Sequence, residues 1–250
     1  MAAENVEIKN VTLELLKSHR SIRNYAEAPV PEKDIRDAVE AAQMAATSSN
    51  LQAYCLLQVT DPAKREKLVE LTGGQPYVGQ AGAFFVVCGD ARRHALLCQA
   101  HGEKYSPTME KFMVTVIDAS LFAQNLSIAF EAMGYGTCYI GGLRSDLPAV
   151  DKLLNIPHGV YPLFGLCVGE PAEDPDSKPR LPLEAVLYKD SFPDDAALAE
   201  TIAEYDRKME QYYEERTGKK RNWSFAVVRN CSSPGRTATV DYYRSKGAAV

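Results

Sequence analysis

The stretch that decides the fold is "VTVIDASLFAQNLSIAFEAM", residues 114–133, which is twenty residues long and mostly apolar. Four polar or charged residues, each costly at bilayer depth, interrupt it: Asp118, Gln124, Asn125 and Glu131. A helix that is apolar on most faces and carries such residues is typical of the centre of a large core or of a subunit contact. We therefore expect a long core helix over residues 109–133, and no membrane segment.

Apolar runs on both sides of this helix predict a sheet. They indicate buried strands over residues 53–60, 81–90 and 161–171, and a shorter strand in "GTCYIGG" that breaks at Gly141. Periodicity, proline and glycine signals predict helices over residues 31–46, 62–74, 146–154 and 194–215. The order is mixed rather than alternating, which favours an α+β fold. No linker requires a second domain, so we expect residues 1–250 to form a single domain.

Charge is unevenly spread along the chain. The 250 residues carry a formal net charge of -5, yet residues 216–250 hold eight Lys or Arg and one acid. We interpret this segment as a basic C-terminal extension that meets something anionic. The six cysteines form no C-x-x-C pair, and the N-terminus has no apolar signal region. Both features are typical of a reduced, cytoplasmic protein.

Several common site signatures are absent from the sequence. "GYGTCYIGG" begins like a dinucleotide-binding motif, but Tyr139 stands where its third glycine belongs, and there is no P-loop. His94, Cys98 and His101 have helical spacing, but no further ligands complete a metal site, so we expect no metal. The sequence also has no G-x-S-x-G motif.

Four stretches carry hydrogen-bond donors suited to an oxyanion or a polar heterocycle. "SHRSIRNY" (18–25) places His19, Arg20 and Arg23 within five positions, where helical spacing would bring their side chains together. Its alternative role is to complement the C-terminus of a preceding helix. "SKPRLP" (177–182) sets Lys178 and Arg180 on one side of an extended segment, as a phosphate clamp or as a solvated loop.

The other two stretches carry hydroxyls and glycines. "ATSSNLQAY" (46–54) is either a binding loop or an ordinary polar loop with local hydrogen bonds. "TGGQ" (72–75) and "YIGG" (139–142) let main chain approach a flat ligand closely, or merely end a helix and a strand.

Taken together, five stretches resemble one family in the family's own order: "HRSIRNY", "TGGQPYVGQA", "AQNLSIAFEAMGYGTCYIGGLR", "PLFGLCVGEPAEDPDSKPRLP" and "DYYRSKG". The chain resembles the FMN-dependent nitroreductase superfamily, and within it the group of oxygen-insensitive NADPH nitroreductases and flavin reductase P. The resemblance implies a nitroreductase-type fold, with a central, mostly antiparallel sheet flanked by helices. It also implies a homodimer of domain-swapped style with FMN at the interface.

The resemblance also implies roles for individual residues. His19, Arg20 and Ser21, with Lys178 and Arg180, match the residues that hold the FMN phosphate. Arg23 matches the residue at the flavin pyrimidine edge, and we expect it to be the catalytic residue. Gln75 matches a further FMN contact, and the stretch beside the flavin ring matches Tyr139, Ile140, Gly141 and Gly142. The loop of residues 46–54, called the hydroxyl loop below, is expected to contact FMN through Thr47, Ser48, Ser49 and Gln52. The resemblance implies that its hydroxyls come from the opposite subunit. NADPH contacts are expected at Lys219, Lys220, Arg221 and Arg236.

The implied activity is a ping-pong oxidoreductase that takes hydride from NADPH and reduces nitroaromatics, quinones or free flavin. Two alternatives within the fold are a dedicated NAD(P)H:flavin reductase and a dehalogenase-type or flavin-cannibalising relative. A third alternative, from another class, is a nucleic-acid-associated protein that uses its basic tail. No nucleic-acid motif accompanies that tail, so we expect small-molecule electron acceptors and a second copy of the chain as partners, and neither nucleic acid nor a membrane.

Overall fold

The structure, a computed structural model, describes the backbone of residues 2–250 and the side chains of residues 10–250. Within this range ten α-helices form: α1 (Ala2–Lys17), α2 (Glu32–Ala42), α3 (Pro62–Leu71), α4 (Tyr77–Gln80), α5 (Arg92–Ala100), α6 (Met109–Ala132), α7 (Leu147–Leu154), α8 (Asp195–Thr217), α9 (Trp223–Cys231) and α10 (Ala238–Ser245). The strands are β1 (Tyr54–Gln58), β2 (Ala83–Asp90), β3 (Gly136–Ile140) and β4 (Val160–Gly169). Short 3₁₀ turns lie at Ser48–Asn50, Gly141–Ser145 and Leu183–Ala185.

The four strands form one sheet in the order β1-β2-β4-β3, and every neighbouring pair is antiparallel. The two central strands are the apolar ones: every residue of β2 is buried, and nine of the ten residues of β4 are. The expected α+β class with an antiparallel sheet is confirmed. All four predicted strands are present, within a few residues of their expected ends.

Both faces of the sheet are covered by helices. Side chains alternate along β2, so successive residues enter clusters on opposite faces. Phe85 and Val87 enter a hydrophobic cluster with residues of α2 and α6. Phe84, Val86 and Cys88 enter a second cluster with residues of α3 and α7. A strand buried on both faces shows no polar alternation, which is why these strands appear in the sequence as continuous apolar runs.

Helix α6 lies against the first of these faces. Phe122 stacks on Tyr54 with ring centroids 4.4 Å apart, and Phe130 stacks on Phe85 at 6.0 Å. By length and composition α6 could also cross a membrane. Its buried residues, which include Leu126, pack on the sheet as those of a core helix do.

The chain divides into two compact units. One comprises Met1–Pro175 and Arg236–Val250, and the other comprises Asp176–Gly235. The first contains the sheet and, at its C-terminal end, α10, whose Tyr242 and Tyr243 are buried. In the second, α8 and α9 are joined by a hydrogen bond from the Ser224 amide to Asp206 at 2.9 Å. That residues 1–250 act as one domain with a basic extension stays a prediction.

Candidate functional site

The segment that carries His19, Arg20 and Arg23 is extended, so the helical spacing considered for it is wrong. Ser21 forms a β-bridge with Thr137 at the sheet edge, and the Ile22 amide donates to the Thr137 carbonyl at 3.0 Å. The segment is extended because it adds to β3 and buries the Ile22 side chain. Residues three apart on an extended chain point in different directions, and the two arginines have different partners.

A cavity of about 600 Å³ opens beside this segment. Its lining includes two possible cations and three carboxylates: His19, Arg20, Glu131, Glu173 and Asp174. The Arg20 guanidinium donates to Asp174 and, at 3.0 Å, to the Ser18 carbonyl. His19 is tied to Glu131 at 2.7 Å. These side chains could bind an anion, but additional cations are needed to outweigh the carboxylates.

Arg23 has a different environment. Its backbone amide donates to Glu173 at 2.6 Å, while its exposed side chain donates from Nη1 to the Ser21 carbonyl at 3.4 Å. The guanidinium also lies near the Tyr77 hydroxyl: burial raises the pKa of Tyr77, and Arg23 opposes that rise. Most of the five guanidinium N–H donors are therefore available to a ligand.

Gln75 is fixed in orientation beside Tyr77. Its Oε1 accepts from the Tyr77 hydroxyl, and its Nε2 donates to the Thr72 carbonyl at 2.5 Å. One Nε2 proton is left without a partner among the described residues. A Cβ at Gly142 would overlap both the Thr72 carbonyl oxygen and Gln75 Nε2. The end of β3 thus packs directly against the loop that holds Gln75.

The stretch Tyr139–Gly142 ends β3, and its first two side chains are occupied in the core. The Tyr139 hydroxyl donates to the Ala123 carbonyl at 2.7 Å, and burial raises its pKa. Ile140 is fully buried on the opposite face of the sheet. Only the main chain of this stretch and the two glycines remain for a ligand.

The hydroxyl loop lies elsewhere on the same unit. Thr47 Oγ1 donates to Asp118 at 2.6 Å, and the amides of Ser48 and Ala53 donate to the same carboxylate at 3.1 Å. Asp118 and Glu131, which anchor this loop and His19 respectively, are 13 positions apart on α6. At about 1.5 Å of rise per residue, roughly 20 Å of helix separates the two anchors.

The hydroxyl loop also has an uncommon backbone. Ser49, Asn50 and Gln52 all have positive φ, at 49°, 57° and 49°. Non-glycine residues occupy this region at a cost, and such conformations cluster at ligand sites. Thr47 Oγ1 accepts from the Gln52 amide at 2.8 Å and so helps to hold the turn.

The remaining predicted cations are exposed and belong mostly to the second unit. Lys178 Nζ lies 5.3 Å from the centroid of the Tyr213 ring, and the charge of Arg180 acts on Tyr205. Since Tyr205 and Tyr213 are eight positions apart on α8, both cations follow one side of that helix. Lys219, Lys220 and Arg221 lie between α8 and α9, whereas Arg236 begins the C-terminal segment of the first unit.

Comparison with known proteins identifies the family of the chain. The model of the Nitroreductase family matches residues 16–170, and that of the Nitroreductase family, C-terminal domain, matches residues 178–249. The chain belongs to the nitroreductase family. It is 44% identical over 246 residues to the FMN reductase (NADPH) of Bacillus subtilis, covering 95% of this chain and 98% of the relative.

Other members of the nitroreductase family give the same result. The oxygen-insensitive NADPH nitroreductase of Salmonella typhimurium is 39% identical over 242 residues, covering 96% of this chain and 98% of that protein. The solved structure of the NfrA1 nitroreductase from B. subtilis has a TM-score of 0.92 at 42% identity and covers 95% of this chain and 98% of its own. The fold is therefore the nitroreductase fold.

Within this nitroreductase fold, three anchoring residues were missed by sequence reasoning. Asp118 holds the hydroxyl loop, Glu131 holds His19, and Tyr77 fixes the Gln75 amide. The two acids carried a signal, since a carboxylate on the inner face of an apolar helix needs partners. Tyr77 carried none, because its contact depends on how the loop folds back.

Proposed function

We propose that this chain is an FMN-containing oxidoreductase that takes electrons from NADPH in a ping-pong reaction and passes them to nitroaromatics, quinones or free flavin. Its family and the activities for which its relatives are named support this proposal. The observation in the structure that carries it is that Gly142 packs against Gln75, whose partner Tyr77 lies beside Arg23.

These residues fit the edge of a flavin ring. The glycine end of β3 leaves main chain close to any flat ligand, while Arg23 and Gln75 supply unpartnered N–H donors for its oxygens and nitrogens. FMN, when bound, supplies the two-electron redox chemistry. The guanidinium of Arg23 stabilises negative charge at the pyrimidine edge, as a pre-positioned donor does in an oxyanion hole.

The phosphate end needs more positive charge than the cavity itself supplies. His19 and Arg20 line the cavity beside three carboxylates, and on the ground of the family resemblance we propose Lys178 and Arg180 as further ligands of the phosphate. Arg20 exchanges its exposed pairing with Asp174 for the phosphate at little cost, because exposed ion pairs contribute little stability.

We propose that the active form is a homodimer. The anchors of the hydroxyl loop and of His19 are separated by about 20 Å of α6. This separation supports a binding site in which Thr47, Ser48 and Ser49 belong to a second copy of the chain. An apolar stripe also lies exposed on α6 at four-residue spacing: Met109, Met113, Ile117 and Leu121, with between 43% and 53% exposure. Stripes of this kind are typical of subunit contacts.

The last two parts of the proposal concern NADPH binding and the cellular compartment. Lys219, Lys220 and Arg221 form an exposed cationic loop, and we propose that they bind the 2′-phosphate of NADPH. On the ground of the family resemblance we propose Arg236 as a further NADPH ligand. The six free cysteines are consistent with the cytoplasm. The nucleic-acid alternative is weakened, because Tyr242 and Tyr243, two aromatic residues of the basic C-terminal extension, are buried and hydrogen-bonded in the core.

A spectroscopic experiment tests this function. The purified protein should show the visible absorption bands of bound flavin, and anaerobic NADPH should bleach them faster than NADH. A nitroaromatic such as nitrofurazone, a quinone and free FMN, added separately, should each restore the bands, and the relative rates identify the preferred acceptor. A colourless protein that neither binds FMN nor oxidises NADPH would refute the proposal.

A further inference from the structure

Glu131 occupies an unfavourable position unless it serves a partner. It lies in the last turn of α6, where the helix dipole favours cations over carboxylates. Its side chain is only 13% exposed, and a buried carboxylate is costly unless it is paired and hydrogen-bonded. Neither helix formation nor packing therefore accounts for an acid at this position.

The Glu131 carboxylate is organised around one oxygen. Oε1 accepts from Thr137 Oγ1 at 2.8 Å and from His19 Nδ1 at 2.7 Å, and Ser127 Oγ lies 3.3 Å from it. Ser127 and Thr137 are fully buried and also bond to each other at 2.7 Å, so Oε1 has a fixed position. The imidazole of His19, which is 29% exposed at the cavity, is held by a rigid support.

This arrangement dictates what His19 presents to the cavity. An ionised carboxylate only accepts, so the proton of the shared hydrogen bond lies on Nδ1. Nε2 has no partner among the described residues and is the ring atom left for a ligand. Nε2 donates to an anion when it too carries a proton, and a ring protonated on both nitrogens makes a charge-assisted hydrogen bond.

We propose that Glu131 is the positioning residue that fixes His19, with Nε2 toward the cavity, as a charged donor to the phosphate of the flavin. This inference rests on the proposed function. It assigns to Glu131 a part in the discrimination between FMN and riboflavin, which has the same ring but no phosphate. Thr137 and Ser127 act through Glu131 and keep its oxygen in place.

The test measures binding rather than turnover. Flavin-free full-length protein is titrated with FMN and with riboflavin by fluorescence, in the wild type, Glu131→Gln and Glu110→Gln. Glu131→Gln preserves the shape and the acceptor oxygen but removes the charge. It should weaken FMN binding about tenfold, the size expected for a charge-assisted hydrogen bond, and change riboflavin binding less than twofold. Glu110→Gln, an exposed change on the same helix, should alter neither.

A second measurement keeps the proposal testable whatever Glu131→Gln does to folding. Ring ¹⁵N NMR of the wild type with FMN should show His19 protonated on both nitrogens, the signals being assigned by their loss in His19→Gln. A neutral His19 ring in the complex would overturn the proposal. So would equal weakening of FMN and riboflavin, or unchanged affinities for both. If the wild type bound riboflavin and FMN equally, this inference would fail while the proposed function stood; if it bound neither, both would fail.

Discussion

At the scale of single residues, Arg20 and Arg23 show how neighbours on an extended segment acquire separate roles. Arg20 is 35% exposed and pairs with Asp174 beside the cavity. Arg23 keeps most of its donors unused near Tyr77 and Gln75. A guanidinium held near a ring-binding surface, but not neutralised by a carboxylate on its side chain, is suited to stabilise charge that appears during reaction.

Replacing Arg23 tests this role. Arg23→Ala should lower the rate at which NADPH bleaches bound flavin by about 10²-fold or more, the typical cost of losing one such donor, while FMN occupancy falls much less. Stopped-flow absorbance measures the first quantity, and the flavin content of the purified protein measures the second. Arg23→Lys, which retains the charge, should be intermediate. An unchanged bleaching rate in Arg23→Ala would contradict the role.

The residue types of the site could be predicted from the sequence, but their arrangement could not. Donor-rich stretches indicated the candidates, and the family resemblance gave them roles. The pairing of Arg20 and Arg23 on a helix was wrong, because Ser21 and Ile22 join the sheet edge, a long-range contact that local spacing does not encode. The Asp118 and Glu131 anchors depend on the same kind of contact.

At the scale of elements, burial explains which ones could be predicted. The strands and α6 are apolar enough to stand out, and their predicted ends are close to those observed. Helices α1, α4, α5, α9 and α10 were not predicted. Their described side chains are mostly exposed, so no apolar stripe marks them. The sequence analysis assigned Tyr242 and Tyr243, which dock α10, to a basic C-terminal extension, whereas both are buried.

Asp118 joins α6 to the hydroxyl loop and to the start of β1. Asp118→Asn should lower the free energy of unfolding by about 1–3 kcal/mol, because an amide nitrogen would replace one of the two carboxylate oxygens that together accept from three donors. Urea denaturation measures the change. Glu110→Gln, exposed on the same helix, should stay within about 0.5 kcal/mol. Equal stability of the two variants would show that Asp118 is not the anchor.

Tyr243 docks α10 through a hydrogen bond to the Pro162 carbonyl at 2.8 Å. Burial raises the pKa of Tyr243 to about 12. Because an unfolded tyrosine ionises near pH 10, the stability that Tyr243 contributes is present below about pH 10 and is lost as the pH rises through 12.

The variant Tyr243→Phe should cost about 1 kcal/mol at pH 7 and should reduce the loss of stability between pH 10 and 12. Thermal unfolding followed across this pH range measures both effects. A pH dependence as steep as that of the wild type would mean that Tyr243 does not contribute to it.

At the scale of the whole molecule, the structure shows where the basic C-terminal residues lie. The matched C-terminal domain, residues 178–249, contains the exposed cationic loop between α8 and α9. It also contains α10, which belongs to the unit that contains the sheet. Composition revealed the basic segment, but it did not show that the segment's last part is core.

Neutralising the cations tests the NADPH proposal. Arg221→Ala combined with Arg236→Ala should raise KM for NADPH about tenfold or more and leave KM for NADH nearly unchanged, because only NADPH carries the 2′-phosphate. Arg229→Ala, which removes an exposed arginine outside the proposed set, is the matched control. Equal effects on the two nucleotides would argue against a 2′-phosphate site at these residues.

The central claim is that donors brought together by this fold bind one flavin mononucleotide per chain across a subunit interface. Native mass spectrometry of the purified protein tests it most directly. The account predicts a species of two chains with two FMN molecules, and its loss of both flavins when Arg20 and Lys178 are replaced together. A monomer that carries no FMN, even after incubation with an excess of it, would contradict the account.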